Sequence, residues 1–347
     1  MELIKFFSIR LDIQFIYNNI FCNFNVMKYT DNAINILTTM TFKGIGKAWI
    51  IKNFGSDNQD IDSIIYKINK HNISKNKITK ELFNEAKNKI LTILNRNEDY
   101  IDGVVAFGDK DFPTYRGIVK NSERPVFLFY KGDISLLRKE NYNITIIGLL
   151  NPDQDIEKIE RIIVSEFVKN NITIISGLAL GCDSIAHNQT LSCNGKTIAI
   201  LPSPLNNILP SSNRELAHKV VNTGGLLVSE YLTMAKSKKI LNSRYQERDR
   251  LQALFSDGII LSASYAKNNL GLDSGSRLAM QYAKDYKIRR AVFYDEKFAQ
   301  NPKFDLNRQY IKEDESVSVI NIENLYERIK KWINYETISR QKTLFDL

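Results

Sequence analysis

From Thr30 to about Leu94 the apolar residues recur at helical spacing, in DNAINILTTM, GKAWIIKNF, DIDSIIYKI and KELFNEAKNKILTIL, with short polar breaks between them. Four short helices are expected there. After ILNRNEDY the periodicity changes. Short apolar runs (VFLFY, ITIIG, ITIISG, TIAILP, GLLVSEY, DGIILSA, AVFYD) alternate with amphipathic segments such as DIEKIERIIVSEFVKN and NRELAHKVVN. Runs that are apolar at successive positions predict strands buried on both faces, and their alternation with helices predicts parallel βαβ units. The expected fold class is α/β: a Rossmann-like, mainly parallel sheet with helices on both faces, preceded by a small all-helical domain. The boundaries read as an extension at residues 1–29, a helical domain at 30–95, the sheet domain at 96–320, and a C-terminal helix (ENLYERIKKWINY) and tail at 321–347.

Ligands in open α/β sheets bind beyond the carboxyl ends of the strands. One such end is IISGLALGCDSIAH, residues 174–187, where NNITII leads through two glycines into DSIAHNQTLSC, which begins like a helix with Asp183 near its cap. Glycines permit positive φ and close approach, and the unpaired N–H groups of a helix start attract anions, so a phosphate is the natural guest. Packing alone also explains glycines in tight strand-to-helix turns. Gly148 after ITII and Pro202 after TIAI end neighbouring strands. In the helical part, TFKGIGKAW places Gly44, Gly46 and Lys47 between two helices, the shape of a helix-hairpin-helix or SAM-like turn able to lie on a nucleic-acid backbone; a plain helix connection reads the same way.

The 347 residues suffice for a sizeable core, and Lys+Arg 48 against Asp+Glu 39 gives a net charge of +9, which suits a polyanionic partner. Three cysteines and three histidines at unrelated spacings form neither a disulfide framework nor a metal site, and a reducing, cytoplasmic compartment is expected. The first 26 residues are apolar and aromatic, but Arg10 and Asp12 interrupt them and no small-residue cleavage site follows. They read as neither signal peptide nor membrane span, and Met27 reads as a conventional start.

Taken in order, DKDFPTYRGI, PVFLFYKGD, ITIIG, ISGLALGCDSIAH, GKTIAILPSPLNNILPSSNRELAHKVVNTGGLLVSEY, RDRLQALFSDGIIL and SGS at Ser274 resemble the DNA-processing protein A (DprA/Smf) family over most of residues 100–295. The linked run Ser176–Tyr231 is the specific part. The resemblance implies a non-catalytic protein without cofactor or metal, which binds single-stranded DNA in recombination or DNA-mediated transformation, loads RecA recombinase onto it and forms a homodimer. It implies that Ser176, Gly177, Ala179, Gly181, Asp183 and His187 line a phosphate pocket, joined by the basic position Lys196, by Asn213 and Arg214, by an arginine cluster at Arg248 and Arg250, and by Ser274 and Gly275. Other readings stay open residue by residue: Asp183 capping its helix, His187 as a satisfied core histidine, Arg248 and Arg250 on a solvated helix face.

The chain departs from the family pattern where Leu180, Leu149 and Leu150 replace polar or basic residues, and where Glu247 and Asp249 enter the arginine cluster. The lost cations keep a second function in play, binding of a nucleotide or nucleotide-derived signal in the same pocket. An enzyme of the lysine-decarboxylase-like phosphoribohydrolase kind would need a PGGxGTxxE stretch, which GGLLVSE and LDSGSRLA do not supply. Asp183 and His187 also lack the nucleophile elbow of a serine hydrolase. Phe42 and Tyr245 are candidates for stacking on bases. In the tail, Gln341, Leu344 and Phe345 stand in the Q-x-x-L-F spacing of peptides that dock on the DNA sliding clamp.

Overall fold

The computed structural model describes residues 28–55, 59–70, 77–267 and 275–332. The four expected helices are present as α1 (Asp31–Thr39), α2 (Lys47–Asn53), α3 (Ile61–Lys70) and α4 (Lys80–Asn95). Thr30 and Thr79 start α1 and α4 by accepting hydrogen bonds from Ala33 N and Leu82 N. Among the described residues nine strands follow: β1 (Gly103–Ala106), β2 (Phe127–Gly132), β3 (Asn143–Ile147), β4 (Thr173–Ser176), β5 (Thr197–Leu201), β6 (Leu226–Ser229), β7 (Gly258–Leu261), β8 (Arg289–Phe293) and β9 (Val317–Ile320). Between them run α5 (Gln154–Lys169), α6 (Cys182–Ser192), α7 (Arg214–Asn222), α8 (Lys238–Leu254), α9 (Ser276–Asp285) and α10 (Asp305–Glu313).

The strands form one sheet in the order β1-β2-β6-β5-β4-β3-β7-β8-β9, parallel from β6 to β9. The VFLFY run does not join it as a parallel unit. β2 pairs antiparallel with both β1 and β6, and its connection from β1, residues 107–126, holds no helix to make a βαβ unit. Alternate residues of the central strands face opposite layers. Ile144, Ile146, Ile174 and Ile260 pack with Ile159, Ile163 and Phe167 of α5, while Ile147, Ile175, Ile259 and Leu261 pack with Leu251, Leu254, Ala279 and Met280 of α8 and α9. Both sheet faces are therefore dry, as the continuous apolar runs require.

Among the described residues the helical segment has no core of its own. Ile34, Ile50, Ile64, Phe83 and Leu94 share one apolar cluster with Val104, Phe129, Leu201 and Leu227 of the sheet and Leu216 and Val220 of α7. Lys28 exchanges backbone hydrogen bonds with Asp102 and Val104, just before the expected boundary at Thr30. At the other end, residues 325–332 are helical and bury Leu325, Ile329 and Trp332 in the α5 layer. Among the described residues no helix is long and apolar enough to cross a membrane.

A buried ion pair fixes the loop before β3. Arg116 Nη1 lies 2.9 Å from Asp257 Oδ1, both side chains are at most 5% exposed, and the guanidinium also donates to the carbonyls of Arg138, Lys139 and Asn141. Asp257 in turn accepts from Asn143 N at 2.7 Å, so the pair sets the start of β3. Arg116→Met is expected to destabilise the protein by about 3–5 kcal/mol, because it strands a buried carboxylate. Urea unfolding of the variant beside the wild type measures it, and a loss within error of zero would show that the pair contributes nothing net.

Candidate nucleic-acid interface

In the sheet, β3 lies between β4 and β7, and the chain leaves β3 toward one side and β7 toward the other. Strand order reverses there, and the loops beyond the carboxyl ends part to leave a crevice. A cavity of about 50 Å³ occupies it, lined among others by Gly148, Leu150, Asp183, Arg248, Asp249 and Gln252.

The glycine turn after β4 forms one wall. Its expected role as an anion cradle meets an obstacle within the chain itself: Asp183 Oδ2 already accepts from Gly177 N at 3.1 Å and from Ala179 N at 3.2 Å. Asp183 is not the N-cap of α6, a position held by Gly181. Its carboxylate reaches back over the turn and occupies two of the amides a phosphate would use. Asn213, at the start of α7, laces the same turn from outside, donating to Leu178 O, Ala179 O and Ser184 Oγ at 2.8–3.1 Å.

The two glycines have separate causes. A methyl on Gly177 would fall 1.1 Å from Arg248 Nη1, so this residue makes room for the arginine. Gly181 has φ +69°, and a methyl there would meet Leu149 O at 2.2 Å. It is a packing glycine in left-handed backbone.

Beneath the turn, Ser176 Oγ donates to Ile146 O and His187 is fully buried. Thr197 Oγ1 donates to Ile174 O, so its contact of 2.7 Å with His187 Nδ1 is a bond the imidazole donates. Burial pushes the imidazole down to about 4. His187 is thus a neutral core residue with no access to a ligand. Lys196 is displaced altogether. It precedes β5, at the end of the sheet opposite the crevice, and donates to Thr223 O at 2.7 Å. Its adjacency to TIAIL placed it with the wrong end of the strand. Arg214 is exposed on α7.

The arginine pair also divides. Two residues apart on a helix means nearly opposite faces. Arg248 turns to the crevice, 3.5 Å from Asp183 Oδ2 and 3.3 Å from Asp249 Oδ1. Arg250 turns away and places Nη2 2.8 and 2.6 Å from the two carboxylate oxygens of Glu230, which also takes Lys47 Nζ at 3.0 Å. Lys47 of the GIG turn and Arg250 are therefore consumed by a buried carboxylate instead of facing a ligand. Phe42 likewise stacks on Phe83, with ring centroids 5.9 Å apart, as part of the core.

Two residues lining the crevice, Asp249 and Gln252, and the fully buried Glu160 of α5 had no assigned role in the sequence. Burial pushes the Asp249 carboxyl up to about 7, against the pull of Arg248 and with the push of Asp183. Glu160 of α5 is raised to about 8 by burial, opposed by Cys182 and Ser262 beside it, and is neutral at neutral pH. The signal available for Asp249 was its place between two motif arginines. Gly275 opens α9 on the far wall, where a methyl would lie 2.9 Å from Asp249 Oδ2. Ser274 and the tail residues Gln341, Leu344 and Phe345 lie outside the described residues.

Two outcomes follow from this geometry. Gly181→Ala should lower stability by about 2 kcal/mol or more, since it combines unfavourable backbone with a backbone collision; a melt unchanged from wild type would contradict the packing role. For Asp249, the folded carboxyl holds its proton up to about 7 whereas the unfolded one releases it near 3.8. The native state binds the extra proton between those values, so this group's contribution to stability is lost as pH rises from about 3.8 to about 7. Asp249→Asn cannot ionise, and its melting temperature relative to wild type should be higher at pH 8 than at pH 5. An identical difference at both pH values would show that Asp249 is not the titrating group.

Comparison with known proteins agrees with this architecture. A family model described as DNA recombination-mediator protein A matches residues 103–330. Protein Smf of Borreliella burgdorferi is 30% identical over 181 residues, 50% of this chain and 54% of that protein. DNA processing protein DprA of Streptococcus pneumoniae is 30% identical over 164 residues, 47% of this chain and 55% of that protein. The matches thus span about half the length of these curated relatives. Among solved structures, DprA from Streptococcus pneumoniae superimposes with a TM-score of 0.55 at 21% identity, covering 80% of this chain and 95% of that one. DNA processing protein A from Helicobacter pylori, described for its single-stranded DNA binding mode, gives 0.50 at 25% identity over 64% of this chain and 99% of that one. With the family model covering well over half of its residues, the chain belongs to the DNA recombination-mediator protein A family.

Proposed function

We propose that this protein is a non-catalytic single-strand DNA-binding recombination mediator that meets DNA across the carboxyl end of its sheet. The observation that carries the reading is the division of α8. Its second half, from Arg248 onward, is buried, while its start is exposed and presents Lys238 and Lys239, with Lys236 just before it. Behind them Arg244 lies 4.1 Å over the Tyr231 ring and donates to Thr233 O, and Tyr245 follows one residue on, half-buried, with the Arg248 guanidinium 5.9 Å from its ring. Exposed cations beside aromatic rings, leading toward a crevice, suit a flexible polyanion with stacking bases. Exposed Arg214 opens α7, whose preceding residue Asn213 holds the turn at the same end. In this reading the cations of α8, not the glycine turn, hold the phosphates.

Loading of a RecA-type recombinase, homodimer formation and docking of the QKTLFDL tail on a sliding clamp extend the same reading to partners. The alternative guest, a free nucleotide in the crevice, is disfavoured by a cavity of about 50 Å³ walled by two aspartates.

Replacing Lys236, Lys238 and Lys239 together by alanine should weaken binding of a fluorescent single strand alike for different sequences. It should also flatten the log–log salt dependence by about 2, at about 0.7 per lost phosphate contact. Unchanged affinity and slope would remove α8 from the DNA path.

A further inference from the structure

Glu160 of α5 is fully buried beside the start of α6. Cys182, the first residue of α6, and Ser262, just beyond β7, are its polar neighbours, yet neither carboxyl oxygen is in hydrogen-bonding geometry with any described residue. The Ser262 hydroxyl is likewise without a partner among the described residues. This cluster sits under a joint of the crevice. Cys182 N donates to Leu149 O at 2.9 Å, Ser262 N donates to Ile147 O at 2.9 Å, and a methyl on Gly148 would fall 2.4 Å from Cys182 Sγ. The next residue of α6 is Asp183, which holds the amides of Gly177 and Ala179 and faces Arg248.

What the carboxyl does to that joint depends on its proton. As a neutral acid it brings one O–H donor and fits between a thiol and a hydroxyl, each able to donate or accept. As a carboxylate in a dry site it needs donors on both oxygens, more than one S–H and one O–H supply. Burial is the main cause that pushes the carboxyl up to about 8. The groups facing it divide. Cys182 and Ser262 lower it and the like charge of Asp183 on α6 raises it, while Arg161, the next residue of α5, lowers it from a half-exposed pair with Glu157 at 2.6 Å. The Cys182 thiol is itself kept protonated by burial, and strands β3 and β7 carry no ionisable side chain.

We propose that Glu160 is a proton-dependent latch for the crevice: with its proton it lets α6 rest on Gly148, and loss of the proton releases the first turn of α6 and with it the hold of Asp183 on the glycine turn and Arg248. The sign follows from linkage. In the closed form the carboxyl keeps its proton up to about 8, whereas once the turn opens and water reaches it, it ionises near 4.5. The open form binds fewer protons between these values, so opening grows about tenfold per pH unit across that window and levels off above it. The stability that the closed turn draws from Glu160 is therefore full in acid and lost as pH rises through about 8. The latch stands on the buried cluster alone. Its consequence for DNA, that a strand meeting the crevice favours the closed form, rests on the single-strand reading above.

The experiment follows amide hydrogen exchange of the peptide covering residues 177–186 by mass spectrometry between about pH 6 and about pH 8, corrected for the intrinsic rate, in wild type, Glu160→Gln and Glu160→Met. Both variants keep a side chain of similar size that cannot ionise, and either one that folds serves as the reference. Protection in wild type relative to the variant should fall by about tenfold per pH unit, while in α10, remote from the latch, the ratio stays constant. A ratio in 177–186 that does not change with pH overturns the latch. The same slope in α10 overturns it too, because Glu160 then titrates with unfolding of the whole sheet domain. A saturating single strand should restore protection of 177–186 at the upper pH, and a strand that binds without restoring it overturns the link between latch and ligand. A wild type that binds no strand overturns the single-strand reading, and the slope without DNA still decides the latch.

Discussion

The carboxylate of Asp183 is the contact on which the functional end of this molecule depends. It gathers the amides of Gly177 and Ala179 and faces the guanidinium of Arg248 from the same oxygen. An arginine that is 7% exposed needs a compensating charge, and a turn that crosses the top of a buried strand needs acceptors for its amides. One side chain meets both needs. The glycine at 177 follows from it, since any side chain would occupy the place of the arginine, and so does the lacing by Asn213, which satisfies the carbonyls of the turn whose amides Asp183 holds.

Helix α8 carries this network on one side and a second on the other. Arg250, Glu230 and Lys47 tie the helix to the loop after β6 and to the first residue of α2. Burial would raise the carboxyl of Glu230, but the two cations outweigh it and hold it below its ordinary value, so the network remains ionised. The helical segment is thus attached to the sheet by charge as well as by the shared apolar cluster. A turn with the shape of a nucleic-acid contact serves here as an anchoring point.

The parallel body of the fold is legible in the sequence because strands buried on both faces must be apolar at successive positions, as in ITII, TIAIL and GIIL. Orientation is less legible. VFLFY reads the same beside a parallel or an antiparallel neighbour, and the run says nothing of whether a helix lies in the connection to its partner. β9 (VSVI), half-buried at the sheet edge, alternates instead of running apolar, and β1 (GVVA) carries only small side chains, so neither stands out. At the site, glycines and aspartate mark a turn, but not what fills it. Asp183 and Arg248 are 65 positions apart and Arg250 and Glu230 20 apart, and nothing local states that they meet. Lys196 shows the converse error: adjacency to a motif strand says nothing about which end of that strand a side chain occupies.

The formal charge of +9 is a property of the whole chain, yet charges act over distances of about 10 Å or less at moderate salt, so each surface must be judged by its own groups. Within the crevice one arginine faces two carboxylates, while the exposed start of α8 concentrates three lysines within four residues. The start of α8 thus presents exposed positive charge, whereas in the crevice Arg248 is compensated by Asp183 and Asp249.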